Sequence, residues 1–128
     1  MAHFFELPVY KKAIELATAL TMSTQKTPRD IRFTRVSSLK NKALDIAKTI
    51  AFANGELDNH TRREKYIREC LEVLHEMEID VRVLKDAHLI PESGFNAITA
   101  VEGRLGSQLN SWLNSTVKKK ENAERKTT

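Results

Sequence analysis

The sequence has 128 residues, of which 41% are hydrophobic, 30% charged and 6% aromatic, with a formal net charge of +4. That length suits one domain with one modest core, which contacts between copies would help to stabilise. The single cysteine, Cys70, excludes an internal disulfide and gives no sign of an oxidising compartment. Met1-Ala2-His3-Phe4-Phe5-Glu6 has neither the basic nor the apolar region of a signal peptide, and no apolar run approaches the ~20 residues that span a bilayer. A cytoplasmic protein without a membrane partner is expected.

Four glycines and three prolines are few, which argues for long unbroken elements. Four segments carry helical periodicity and none carries strand alternation. The first runs from about Pro8 to Ser23, with proline suited to its first turn. Val9, Ala13, Leu16 and Leu20 with Ile14, Ala17 and Met22 make a broad apolar stripe. The second runs from about Pro28 to Asn54. Thr27, Pro28 and Asp30 suit its start, and Asn54-Gly55 suits a left-handed stop. Val36, Leu39, Ala43, Ile46, Ile50 and Ala53 form its stripe.

The third segment runs from about Thr61 to Ala87, with Thr61 and Glu64 spaced as a capping box. Ile67, Cys70, Leu71, Leu74, Met77, Val81 and Leu84 share one face. The fourth runs from about Ser93 to Thr116, and Ile98, Val101, Leu105, Leu109 and Trp112 make a heptad-like seam. Short connections make neighbouring helices antiparallel. The expected fold is therefore all-α, an antiparallel up-down four-helix bundle over residues 1–117. Residues 118–128 are basic and nearly without apolar side chains, so they are expected to form a disordered tail.

Catalytic chemistry finds little footing. Glu72-x-x-His75 occurs once, whereas a dimetal bundle needs two such pairs and two further glutamates. On a helical wheel both residues point away from the stripe that holds Cys70. Gly103-Arg104-Leu105-Gly106 lacks the ending and the preceding strand of a phosphate loop, and reads as a place of close helix approach. Cys70 lies on the apolar stripe and reads as a buried thiol. His3, His60, His75 and His88 are scattered, and Trp112 reads as core. No catalytic residue, metal or cofactor is expected.

Charge is the sharper signal. Lys26, Arg29, Arg32, Arg35, Lys40, Lys42 and Lys48 stand against only Asp30 and Asp45 in the same stretch. Arg32, Arg35 and Lys42 fall within about 80° on the wheel, beside the apolar stripe, while Lys40 and Lys48 point elsewhere. Such a face suits phosphate contacts, which bind with steep salt dependence and little sequence preference. Arg29, Arg32, Arg35, Lys40, Lys42 and Lys48 are the candidate contacts, with Lys118, Lys119 and Lys120 as an auxiliary arm. No stacking platform is evident, so base-specific single-strand recognition is not expected.

Several stretches carry a resemblance in their order and spacing. They are Leu7-Pro8-Val9-Tyr10-Lys11; Arg32-Phe33-Thr34, Ser38-Leu39-Lys40, Ile50 and Ala53-Asn54; Glu76-Met77-Glu78 and Val81-Arg82-Val83-Leu84-Lys85-Asp86; and Val101-Glu102-Gly103-Arg104-Leu105 with Gln108-Leu109-Asn110-Ser111-Trp112-Leu113. Together they resemble the accessory variability determinant (Avd) proteins of diversity-generating retroelements, over the chain up to about Thr116. They resemble more distantly the four-helix-bundle proteins encoded in 23S rRNA intervening sequences. Those relatives usually end the second helix with an Asn-Ile-Ala-Glu-Gly-like stretch. Thr49-Ile50-Ala51-Phe52-Ala53 departs from it and favours the Avd branch. The resemblance implies a homopentameric barrel and a non-catalytic accessory role. Its implied partners are the element's reverse transcriptase and the template-repeat RNA or DNA, in support of mutagenic cDNA synthesis and retrohoming. The alternative is an intervening-sequence-type interaction module without a nucleic-acid role.

Overall fold

The computed structural model describes residues 4–127, without the side chains of Phe5 and Thr127. Among the described residues there are four long helices and no strand. After a short 3-10 turn at Phe4–Glu6, α1 spans Pro8–Ser23. The second helix, α2, is continuous through three segments: Arg29–Ile31, a π-helical Arg32–Val36, and Ser37–Gly55. Helix α3 spans His60–Asp86 and α4 spans Glu92–Thr127. Each helix packs on the next and α4 closes against α1. The directions alternate: α3 meets α4 through Glu64 and Lys120 at one end and through Arg82 and Phe95 at the other. This is the arrangement of an up-down four-helix bundle.

The core follows the apolar stripes. Leu16 and Leu20 of α1 meet Leu39, Ile46 and Ile50 of α2, Ile67, Leu74, Met77 and Leu84 of α3, and Ile98, Leu105 and Leu109 of α4, all fully buried. Burying one such side chain contributes about 1.5–3 kcal/mol, so this layer supplies the main drive to fold. Two members of the expected α1 stripe lie outside it. Ile14 and Met22 are exposed, because a stripe that wide exceeds the face which α2 and α4 can cover. In α4 the seam drifts from Trp112, half-buried, to Leu113 and Thr116, both buried. A straight helix of 3.6 residues per turn leaves a strict heptad in that direction.

The helix ends differ from the sequence reading in chemistry more than in position. Thr27 does not cap α2; its hydroxyl donates to the Leu89 carbonyl across 2.9 Å and ties the first connection to the last. Asn59, not Thr61, caps α3 by accepting from the Arg62 N–H. Glu64 is drawn instead to Arg68 and Lys120, so no capping box forms. Gly55 ends α2 without a positive φ, and the left-handed residue is His88, φ 58°, just past α3. At Gly94 a Cβ would come within 2.9 Å of the Ser23 Cβ, so this glycine is what lets α4 start against the end of α1.

The expected disorder after Val117 is also corrected. Helix α4 runs on to Thr127, with Thr116 buried, Val117 packed on the core and Lys120 reaching Glu64 across 3.5 Å. Residues 118–126 hold no Gly or Pro and are mostly good helix formers, so a helix already anchored at Thr116 continues through them. His3 and Thr128 lie outside the described residues.

Candidate nucleic-acid interface

The π segment opens the basic stretch and has a local cause. Both the backbone N–H and the hydroxyl of Ser37 bond to the Arg32 carbonyl five residues back, the hydroxyl at 2.9 Å. The apolar pattern requires that wide turn. Ile31 and Val36 both pack inward, yet five residues of α-helix would set them about 140° apart. A turn that absorbs one extra residue brings them back to one face.

The same extra residue breaks the wheel on which the basic face was drawn. With it taken out of the count, Arg32 and Lys42 stand about 180° apart instead of about 80°. Lys42 indeed turns to α3, where it bonds Asp80 at 3.1 Å and meets Glu76 at 3.5 Å. The Asp80 hydrogen bond, chiefly, raises its pKa above the usual lysine value. Lys42 is a link between helices, not part of an open basic face.

What the structure leaves open is Arg29, Arg32, Phe33 and Arg35, all exposed at the start of α2 and spread around its wide turn, with only Arg29 and Phe33 shown in contact. The Arg29 guanidinium lies 5.3 Å from the centre of the Phe33 ring, and that ring is 67% exposed. Pro28 leaves the first turn of α2 without a side-chain cap, so its free N–H groups add positive potential to the same end, against Asp30. Phe33 was missed as a stacking surface because low aromatic content says nothing about where one exposed ring stands.

The remaining candidates are dispersed. Lys40 is half-buried. Lys48 is exposed at the edge of an apolar groove formed by Phe4, Tyr10, Ile14, Leu44 and Phe52 between α1 and α2. Lys118 and Lys119 are exposed and Lys120 is paired with Glu64, at the opposite end of the bundle from Arg29, Arg32 and Arg35. The auxiliary arm and the α2 arginines therefore do not form one surface on a single chain.

Two buried ionisable residues escaped the sequence reading. Arg63, buried at the start of α3, donates from Nε to the Ala53 carbonyl at 2.9 Å and from Nη2 to Asn54 at 3.2 Å, and sits 5.7 Å from the Trp112 ring centre. Glu102 is buried between α3 and α4. Burial, and secondarily the charge of Glu78, push its carboxyl up to about 8. Both occupy apolar-stripe positions, Arg63 four before Ile67 and Glu102 three before Leu105, and that was the available signal.

Glu72 and His75 are exposed, and among the described residues no three His, Cys, Asp or Glu side chains converge. Cys70 is buried with its thiol near the Ile46 carbonyl, and burial pushes it up to about 12, so it is inert at neutral pH. Among the described residues no helix is long and apolar enough to cross a membrane. Neither the family models nor the curated proteins compared with this chain give a match.

Proposed function

We propose that this chain is a non-catalytic accessory protein of a diversity-generating retroelement. It acts in the cytoplasm as a homopentamer, binding the element's reverse transcriptase and its template-repeat RNA or DNA. The observation that supports the nucleic-acid part is the exposure of Arg29, Arg32, Phe33 and Arg35 around the π turn, with Arg29 lying over the Phe33 ring. Three arginines give phosphate contacts and the ring gives a sequence-tolerant stacking surface. One such set of contacts is weak. Repeated around a ring of copies, it would bind a polyanion by multivalency. The apolar groove of Ile14, Leu44 and Phe52 supports self-association, since exposed apolar patches on soluble chains mark interaction sites. The assignment to a retroelement rests on the sequence resemblance.

Fluorescence anisotropy with a structured RNA tests the interface. Changing Arg32 and Arg35 together to Glu should weaken binding by at least roughly tenfold at low salt and flatten its salt dependence, with helicity unchanged. Unchanged affinity with intact helicity would remove this patch. Affinity purification from the native host tests the assignment, with a reverse transcriptase and one enriched RNA as the expected partners. Recovery of the protein alone would leave an intervening-sequence-type interaction module.

A further inference from the structure

A cavity of about 340 Å³ lies where the start of α1, the end of α2, the start of α3 and the middle of α4 meet. Leu7, Pro8 and Val9 give it an apolar wall from α1, and Trp112 gives it an aromatic one from α4. Arg63 and Gln108 also line it, and among the described residues no acidic side chain does.

Arg63 is 8% exposed, and its guanidinium stands 5.7 Å from the centre of the Trp112 ring. Its Nε and Nη2 donate to the neutral carbonyls of Ala53 and Asn54. Its Nη1 makes no hydrogen bond among the described residues and is not sealed from solvent. The open end of this otherwise buried side chain therefore meets the cavity. Gln108 makes no side-chain hydrogen bond there either; its Oε1 is sealed, which leaves the NH₂ group as the end that can meet a ligand.

Buried charges are normally paired. Arg63 makes no ion pair among the described residues. Glu56 acts on its charge from a distance, but is itself held by Arg62 across 3.5 Å. The unbalanced positive charge excludes a cation as occupant. Both open polar groups are donors, which selects an acceptor. Phosphate is compact and strongly hydrated, and would leave the apolar walls empty. A carboxylate matches a guanidinium edge, and an apolar body behind it would fill the space beside Trp112. Apolar walls with a few placed polar groups are the usual make-up of a small-molecule site, and this volume lies at the lower end of their range.

We propose that this cavity binds a small carboxylate with an aromatic or short-chain apolar body. The carboxylate pairs with Arg63 Nη1 and the Gln108 amide, and the body lies against Leu7, Val9 and Trp112. The site is distinct from the exposed arginines of α2 and does not rest on the retroelement reading.

Trp112 is the only tryptophan, so its indole N–H gives a single cross-peak in nitrogen-labelled full-length protein. Hydrocinnamate, its neutral amide hydrocinnamamide, and inorganic phosphate are titrated separately at pH 7. Hydrocinnamate is expected to shift the peak saturably with a Kd below about 1 mM. The neutral amide should bind at least roughly tenfold more weakly, having lost the charged hydrogen bonds, and phosphate should leave the peak in place. Gln108→Leu removes the amide without breaking a hydrogen bond of the fold, and should weaken hydrocinnamate several-fold. A peak unmoved by millimolar hydrocinnamate overturns the proposal. Equal binding of the neutral amide reduces the site to an apolar crevice, and an equal response to phosphate reduces it to a bare anion site; either overturns it too. These three readings use the wild-type chain and do not depend on how the variant folds.

Discussion

The Arg63 side chain donates to the Ala53 carbonyl across 2.9 Å, so the first turn of α3 closes the last turn of α2. The last carbonyls of a helix have no partner within it and carry the negative end of its dipole. Arg63 answers both needs for Ala53 and Asn54, and the Trp112 ring lies against its guanidinium. Desolvation lowers its pKa from the usual arginine value, and a guanidinium keeps its charge in a protein. Arg63→Ala is expected to destabilise the bundle by about 3 kcal/mol, from the lost charged hydrogen bonds to the Ala53 and Asn54 carbonyls and the lost packing of the buried guanidinium on Trp112. Arg63→Met keeps most of the packing and should recover only a minor part. Urea unfolding of the three proteins checks this; a loss below about 1 kcal/mol in both variants would mean that water satisfies these carbonyls equally well.

Glu102 makes stability depend on pH in the direction opposite to an ion-paired acid. Burial pushes its carboxyl up to about 8, well above the usual glutamate range. The fold therefore favours the protonated form. That contribution is complete below the unfolded value and is lost as pH rises through about 8. By pH 7 the loss is on the order of 3 kcal/mol. Glu102→Gln should match the wild type near pH 4.5 and exceed it increasingly toward pH 8. Paired thermal and urea unfolding of the two proteins across that range supplies the measurement. Parallel curves would place the carboxyl in a wetter setting than its burial indicates.

The helical pattern was legible because period and burial agree. Val36, Leu39, Ala43, Ile46, Ile50 and Ala53 are all buried, as their spacing requires. Spacing alone fails where an extra residue is absorbed, and the step of five from Ile31 to Val36 held the π turn in plain view. It also fails for polar residues on an apolar stripe, since Arg63 and Glu102 look like interruptions until their surroundings are known. The tail was misread because disorder was judged from apolar content, whereas an anchored helix needs only residues that do not break it. Of the nine basic candidates, sequence could not separate Lys42 and Lys120, held by acids of α3, from Arg29, Arg32 and Arg35, which are left to solvent.

Deleting Thr34 separates the π turn from the rest of α2. With one residue fewer, Ile31 and Val36 fall four apart and share a face of an ordinary α-helix, so the core register survives. Stability should be unchanged or higher by up to about 1 kcal/mol, since the π turn is the less common geometry. The spread of Arg32, Phe33 and Arg35 around the wide turn is lost, and RNA affinity should fall several-fold. Urea midpoints and RNA anisotropy on the same samples decide the point. A stable variant with full affinity would show that the turn is a packing adjustment alone.

The groove between α1 and α2 gives the self-association proposal its own test. Leu44 is 43% exposed and Phe52 61% exposed, so neither is needed to hold a single bundle together. Replacing either by Glu should leave helicity and single-chain stability within about 0.5 kcal/mol, the usual range for surface positions. In an assembly the same change would bury an unpaired carboxylate in an apolar contact, which is strongly disfavoured. Sedimentation velocity should therefore show a wild-type species near five chains and a shift to single chains in Leu44→Glu and Phe52→Glu. If both variants kept the wild-type assembly, another face would carry the contact, with the exposed Ile79 and Val83 of α3 the next place to substitute. A wild type that sediments as one chain over the whole concentration range would remove the pentamer and, with it, the multivalency on which tight RNA binding depends.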